Sequence, residues 1–229
     1  MNATQVKPVA EQNAAEVPLY TLRDAARYAR VPLWAVAVRF DRWHPMELFE
    51  RFLHYDAFFD REVYEQRISF RRFADLFARA GAVRALVTPS QSRTDIRAFR
   101  YVWRWLEDGA PLDQLPELGD PYDALVRKHI ALREVRVEWC AGAPVRLFPP
   151  TRDPEEASPR LVVMDPRVRF GRPVLAGRGV PTDMLFDRFR AGDSPAELAA
   201  DYDLTPEEVD EAIRYEATPV APLLPFGDW

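Results

Sequence analysis

The sequence predicts a mainly α protein with small β elements. It has an N-terminal helix-turn-helix region plus a C-terminal β-hairpin and three-helix, helix-turn-helix-like module. Three observations carry this. Hydroxyl residues precede acids by three positions at Thr21 and Asp24, Ser194 and Glu197, and Thr205 and Glu208, the spacing of a reciprocal N-terminal cap. Apolar residues recur at helical spacing in the first half, then alternate with polar ones after Leu132. Glycine and proline punctuate the rest at positions that suit turns.

The elements follow in order. After the Thr21 cap, Leu22, Ala25, Ala26 and Ala29 share one helical face. Arg30, Val31 and Pro32 break that helix, and Pro32 suits the first turn of a second over 33–40. Two short helices joined this way form a helix-turn-helix. The aromatic-rich stretch from Trp43 to Phe59 reads as core. Ser69 opens a helix through Ala80 that Gly81 stops. Another spans Asp95 to Glu107, and Pro111 to Pro121 is turn-like. Val135, Val137 and Trp139 alternate with Arg136 and Glu138, which signals a strand. Ala141 to Ala143 turns it back into a partner over 145–148. Residues 149–159 hold four prolines in eleven positions and read as a linker.

Beyond the linker, a strand over 161–164 turns at Asp165 and Pro166 and returns over 170–175. Gly177 and Gly179 flank Arg178 in a further turn. Thr182 caps a helix from Asp183 to Ala191, ended by Gly192. Ser194 and Thr205 each start a helix, with proline at the first position and glutamate at the third. The organisation expected is a polar tail (1–16), a helix-turn-helix, DNA-binding-like domain (17–118), a hairpin connector with linker (119–159), the module (160–217) and an apolar tail (218–229).

A chain of 229 residues suits one large or two small domains. One cysteine, Cys140, rules out an internal disulfide framework and fits a reducing compartment. No stretch approaches the roughly 20 apolar residues of a membrane span. The first residues lack the apolar centre of a signal peptide, so a bacterial cytoplasmic protein is expected. His44, His54 and His129 have no paired metal-ligand spacing, and one cysteine builds no zinc site. Gly171 to Gly179 lacks the ending of a phosphate loop. No cofactor and no enzymatic activity are expected.

Charge is distributed unevenly. The net charge is −5. From Arg61 to Arg104 ten arginines face four acids. From Arg160 to Arg190 seven arginines face three acids, whereas from Ala191 to Trp229 one arginine, Arg214, faces ten. The last helix of the module, at the position where a helix-turn-helix reads DNA, carries Glu207, Glu208, Asp210, Glu211 and Glu216. DNA exposes one charge per roughly 1.7 Å of axis, so an acidic helix is repelled. These acids therefore point to a protein partner, or else they solvate an outer face while Val209, Ala212 and Ile213 pack inward.

The stretch from Val163 to Thr182 (VMDPRVRFGRPVLAGRGVPT) resembles the opening of a widespread bacterial family of small domains. These are long catalogued as of unknown function and often assigned as VapB-type antitoxins. The resemblance continues through Asp187 to Gly192, Leu198 to Val209 and Ala212 to Glu216. Arg178 stands where a small residue is usual. The N-terminal stretch from Tyr20 to Tyr28, with Val31 and Pro32, is similar to the DNA-binding half of longer antitoxins of this group. Ala35, Ala37, Val38 and Arg39 replace most of the polarity usual there, and Arg30 replaces a glycine.

The resemblance implies a type II antitoxin that pairs with a PIN-like ribonuclease toxin and represses its own operon. Candidate DNA contacts are Arg23, Arg27, Trp34, Arg39 and Arg42, on a chain expected to be a homodimer. Candidate toxin contacts are Glu207, Asp210 and Glu211, with Leu223, Leu224, Phe226 and Trp229 of the tail. The contrasting reading is an adaptor or scaffold that kept the fold without reading DNA.

Overall fold

The computed structural model of the chain describes residues 14–31, 33, 36, 40, 66–87, 114 and 122–218. The second helix over 33–40 (largely), the aromatic stretch from Trp43 to Phe59, the helix from Asp95 to Glu107 and the turns from Pro111 to Pro121 lie outside the described residues. So do most of the N-terminal tail and the C-terminal tail after Thr218.

The fold is mainly helical, with six helices and small antiparallel two-stranded sheets among the described residues. Strand β1 (Pro18–Thr21) pairs with β2 (Arg67–Ser69). The chain divides into two compact units. Of the described residues, one gathers those up to Leu19, Ser69–Ala74 and 135–218; the other holds those within Tyr20–Ile68 and Asp75–Glu134.

In the second of these, helix α1 (Leu22–Ala29) starts at the expected cap: the Thr21 hydroxyl accepts from Asp24 N–H, and Asp24 accepts from Thr21 N–H, both at 3.1 Å. Leu22, Ala25, Ala26 and Ala29 are buried, as their spacing requires. The helix ends at Arg30, whose φ of 61° is left-handed. That conformation explains why a glycine suits this position. Tyr20 and Tyr28 meet edge to face at 6.0 Å.

Helix α2 (Phe70–Val87) corrects one expectation, because Gly81 does not stop it. The glycine serves close approach instead. A Cβ on Gly81 would lie 2.5 Å from the backbone oxygen of His129 in helix α3 (Tyr122–Glu134). Helix α3 was not anticipated from the sequence. Its inward stripe is Val126, Ile130 and Arg133, and the arginine interrupts the apolar signal. Arg133 is fully buried; its guanidinium lies 4.9 Å over the Phe77 ring and donates to Ala29 O at 2.9 Å.

In the other unit, β3 (Val137–Cys140) and β4 (Ala143–Leu147) form a hairpin, with a register shift between Glu138 and Trp139. The shift upsets simple alternation: Val137 is buried, but Trp139 and Val135 are exposed. Arg136, expected on the outside, is buried.

Its burial overturns the linker expectation for 149–159. The Arg136 guanidinium donates to Glu155 O and Ser158 O, each at 2.8 Å. Thr151, Glu155 and Ser158 are buried, and Glu155–Ala157 forms a 3-10 turn. The Ser158 hydroxyl accepts from the backbone N–H of Thr151 and of Arg152. Proline-rich composition here marks an ordered strap, because buried backbone groups have partners.

The strap leads into β5 (Val162–Val163), which pairs with β6 (Val174–Leu175). Leu147 and Met164 exchange backbone hydrogen bonds of 3.0 and 2.8 Å, so the hairpin and the module are continuous. Helices α4 (Thr182–Ala191), α5 (Pro195–Tyr202) and α6 (Pro206–Ala217) complete it. Gly192, at φ 117°, ends α4 as expected. Ser194 and Thr205 form the expected capping boxes with Glu197 and Glu208. Those bonds hold both carboxyls below the usual carboxylate range, chiefly through the N–H groups of Ser194 and Thr205.

Thr182 is not a cap, however. It is fully buried, and its hydroxyl donates to Glu216 of α6 at 2.5 Å. The module's core gathers Leu175, Leu185, Leu198, Leu204, Val209 and Ala212.

Candidate protein-binding site

Helices α5 and α6 meet at a tight turn in which Asp203 is left-handed (φ 52°) and Leu204 N–H donates to Ala199 O at 2.9 Å. Helix α6 thus takes the second-helix position of a helix-turn-helix. Its five acids do not share one environment. Glu208 serves the cap and lies 3.4 Å from Arg178. Glu216 accepts from Thr182. Glu211, expected as a partner contact, is fully buried, where it accepts from the Thr151 hydroxyl and from Arg152. A residue held inside by the strap offers nothing to a partner. The open acids are Glu207 and Asp210, 65% and 51% exposed. Arg214 lies one turn on, paired with Asp210 at 2.7 Å, and Arg152 reaches Glu207 at 3.8 Å.

The charge split of the sequence is therefore folded onto itself. Arg178 reaches Glu208 and Asp203. Arg188 pairs with Asp193 and Asp201, and Arg172 with Asp183. Exposed pairs of this kind contribute little each, about 0–1 kcal/mol.

The expected return strand over 170–175 is shorter than its sequence suggests, because residues 167–172 form a turn instead. Asp165, buried at its base, accepts from the Arg167 backbone at 2.9 Å and from the Arg167 guanidinium at 2.9 and 2.7 Å. Burial pushes the Asp165 carboxyl up, but these bonds and Arg146 outweigh it and hold the group below its usual range. A depressed folded pKa stabilises fully above the unfolded value of about 3.9, and that stability is lost as pH falls through the folded value. Asp165→Asn is thus expected to cost about 1–2 kcal/mol at neutral pH. In denaturation series the deficit should vanish in acid below the carboxylate range; a deficit independent of pH would refute the assignment.

Above this base, Arg169 (φ 48°) and Phe170 (φ 58°) are both left-handed, followed by Gly171. Phe170 is 81% exposed and Val168 36%. Sequence reasoning missed this feature. The available signal was an aromatic between arginines, bounded by Pro166 and Pro173.

Arg23 and Arg27 are exposed on α1. Trp34, Arg39 and Arg42 lie outside the described residues, as do Leu223, Leu224, Phe226 and Trp229. No helix among the described residues is long and apolar enough to cross a membrane.

Residues 162–215 match the family model described as a protein of unknown function, DUF433. Both the Phe170 turn and nearly all of α6 fall inside that match. The chain is also similar to the crystal structure of Rv2018 from Mycobacterium tuberculosis, over 86% of this chain and 98% of that one, with 22% identity and a TM-score of 0.53. At that identity the likeness is one of fold. No curated protein matches the chain.

Proposed function

We propose that the chain is the antitoxin of a type II pair, which binds and neutralises a PIN-like ribonuclease toxin through the module that matches DUF433. The observation that carries this reading is that helix α6, at the position where a helix-turn-helix would meet DNA, carries five acids against one arginine, with Glu207 and Asp210 exposed although each faces an arginine. Carboxylates there are repelled by phosphate, so a polypeptide is the better partner. The motif string from Val163 to Thr182 supports the same assignment. Repression of the antitoxin's own operon falls to the N-terminal region, where Arg23 and Arg27 are exposed on α1. A homodimer would supply the two half-sites that one short helix cannot span.

Co-expression with the product of the adjacent reading frame tests the first part. Stable co-purification and relief of that product's growth arrest are expected; separate elution of the two proteins in low salt would end the proposal. A gel shift with the chain's own promoter tests the second part. Log affinity should fall with log salt at about −0.9 per phosphate contacted, and Arg23→Ala with Arg27→Ala should flatten that slope. Toxin binding without any shift would favour the adaptor reading.

A further inference from the structure

We propose that the turn over residues 167–172 is a preformed peg, with Phe170 at its tip, that docks in an apolar pocket rimmed by carboxylates on the partner protein. This rests on the antitoxin reading above. Several observations converge on it. Phe170 is the most exposed large apolar side chain among the described residues, at 81%. A bulky residue in the left-handed region is costly, and two in succession, Arg169 and Phe170, persist only where the surroundings enforce them. Around them the Asp165 carboxylate accepts three bonds from Arg167, and the carbonyls of Val168 and Arg169 accept from the N–H groups of Gly171 and Arg172 at 2.9 and 3.2 Å. The backbone thus spends strain to hold an aromatic ring in water, and a rigid aromatic loses little entropy on binding.

Charge gives the partner's chemistry. Arg169 is exposed. Arg172 reaches Asp183 only at 3.7 Å and stays 59% exposed. An aromatic beside exposed guanidiniums is the composition of an interface hot spot, and carboxylates opposite would complement it. Nucleic acid fits less well, because the stretch from Arg160 to Thr218 carries twelve acids against eight arginines.

The test uses the full chain co-expressed with the adjacent reading frame's product, carrying photoreactive benzoylphenylalanine at position 170. A cross-link to that product is expected. In titrations, Phe170→Gly and Arg169→Glu should each weaken binding at least tenfold, while Arg169→Lys stays within threefold. Phe170→Gly should also leave the thermal midpoint unchanged or raised, since glycine relieves the left-handed turn. Co-purification without a cross-link, or wild-type affinity in Phe170→Gly, would overturn the peg and leave the antitoxin reading standing. Absence of any complex with the wild-type chain would overturn both. A cross-link to a second copy of the chain, or to nucleic acid, would also overturn the peg.

Discussion

Arg136→Met is expected to lower stability by about 4 kcal/mol in chemical denaturation. Methionine keeps much of the arginine's bulk but donates nothing. The carbonyls of Glu155 and Ser158 now receive bonds of 2.8 Å from Arg136, and Phe148 O receives a longer one of 3.4 Å. Each buried acceptor left without a donor costs about 1–3 kcal/mol. The loss should be accompanied by new protease cleavage between Arg152 and Ala157, because the Arg136 bonds tie that segment to the start of the hairpin. A loss below about 1 kcal/mol would show that the strap is held by its proline backbone and hydroxyl bonds alone.

Gly81→Ala is expected to destabilise by about 1–2 kcal/mol, and Gly81→Val by about 3. The sign matters more than the size. In a helix interior alanine ordinarily gains up to about 1 kcal/mol over glycine. Here its Cβ would lie 2.5 Å from the oxygen and 2.7 Å from the carbon of the His129 carbonyl. Those atoms are backbone and cannot rotate aside, so α2 and α3 must part. A thermal midpoint raised in Gly81→Ala would refute this close packing.

Both predictions concern features that local sequence patterns hid. Caps were legible at Thr21, Ser194 and Thr205, because a hydroxyl and an acid three residues apart meet within one turn. Val209 and Ala212 face inward, as their spacing implied. Local rules failed where a distant partner decides the outcome. Gly81 reads as a stop until the backbone of α3 lies against it. Arg133 and Arg136 read as surface residues because nothing nearby in sequence reveals the carbonyls they reach. Glu211 reads as an open acid, yet its partners, Thr151 and Arg152, lie about 60 residues earlier. The Phe170 turn was obscured differently. An exposed aromatic on left-handed backbone contradicts propensity, and such contradictions tend to mark function rather than folding.

The arginine–carboxylate pairs of the module have an acid–base consequence. Between Arg160 and Thr218 there is no lysine, histidine or cysteine. A guanidinium keeps its proton at every pH a protein survives. The titration of this region below pH 9 is therefore one-sided. Mild alkali leaves its charge untouched, whereas acid neutralises its twelve carboxyls and turns a net anion into a cation of eight fixed charges.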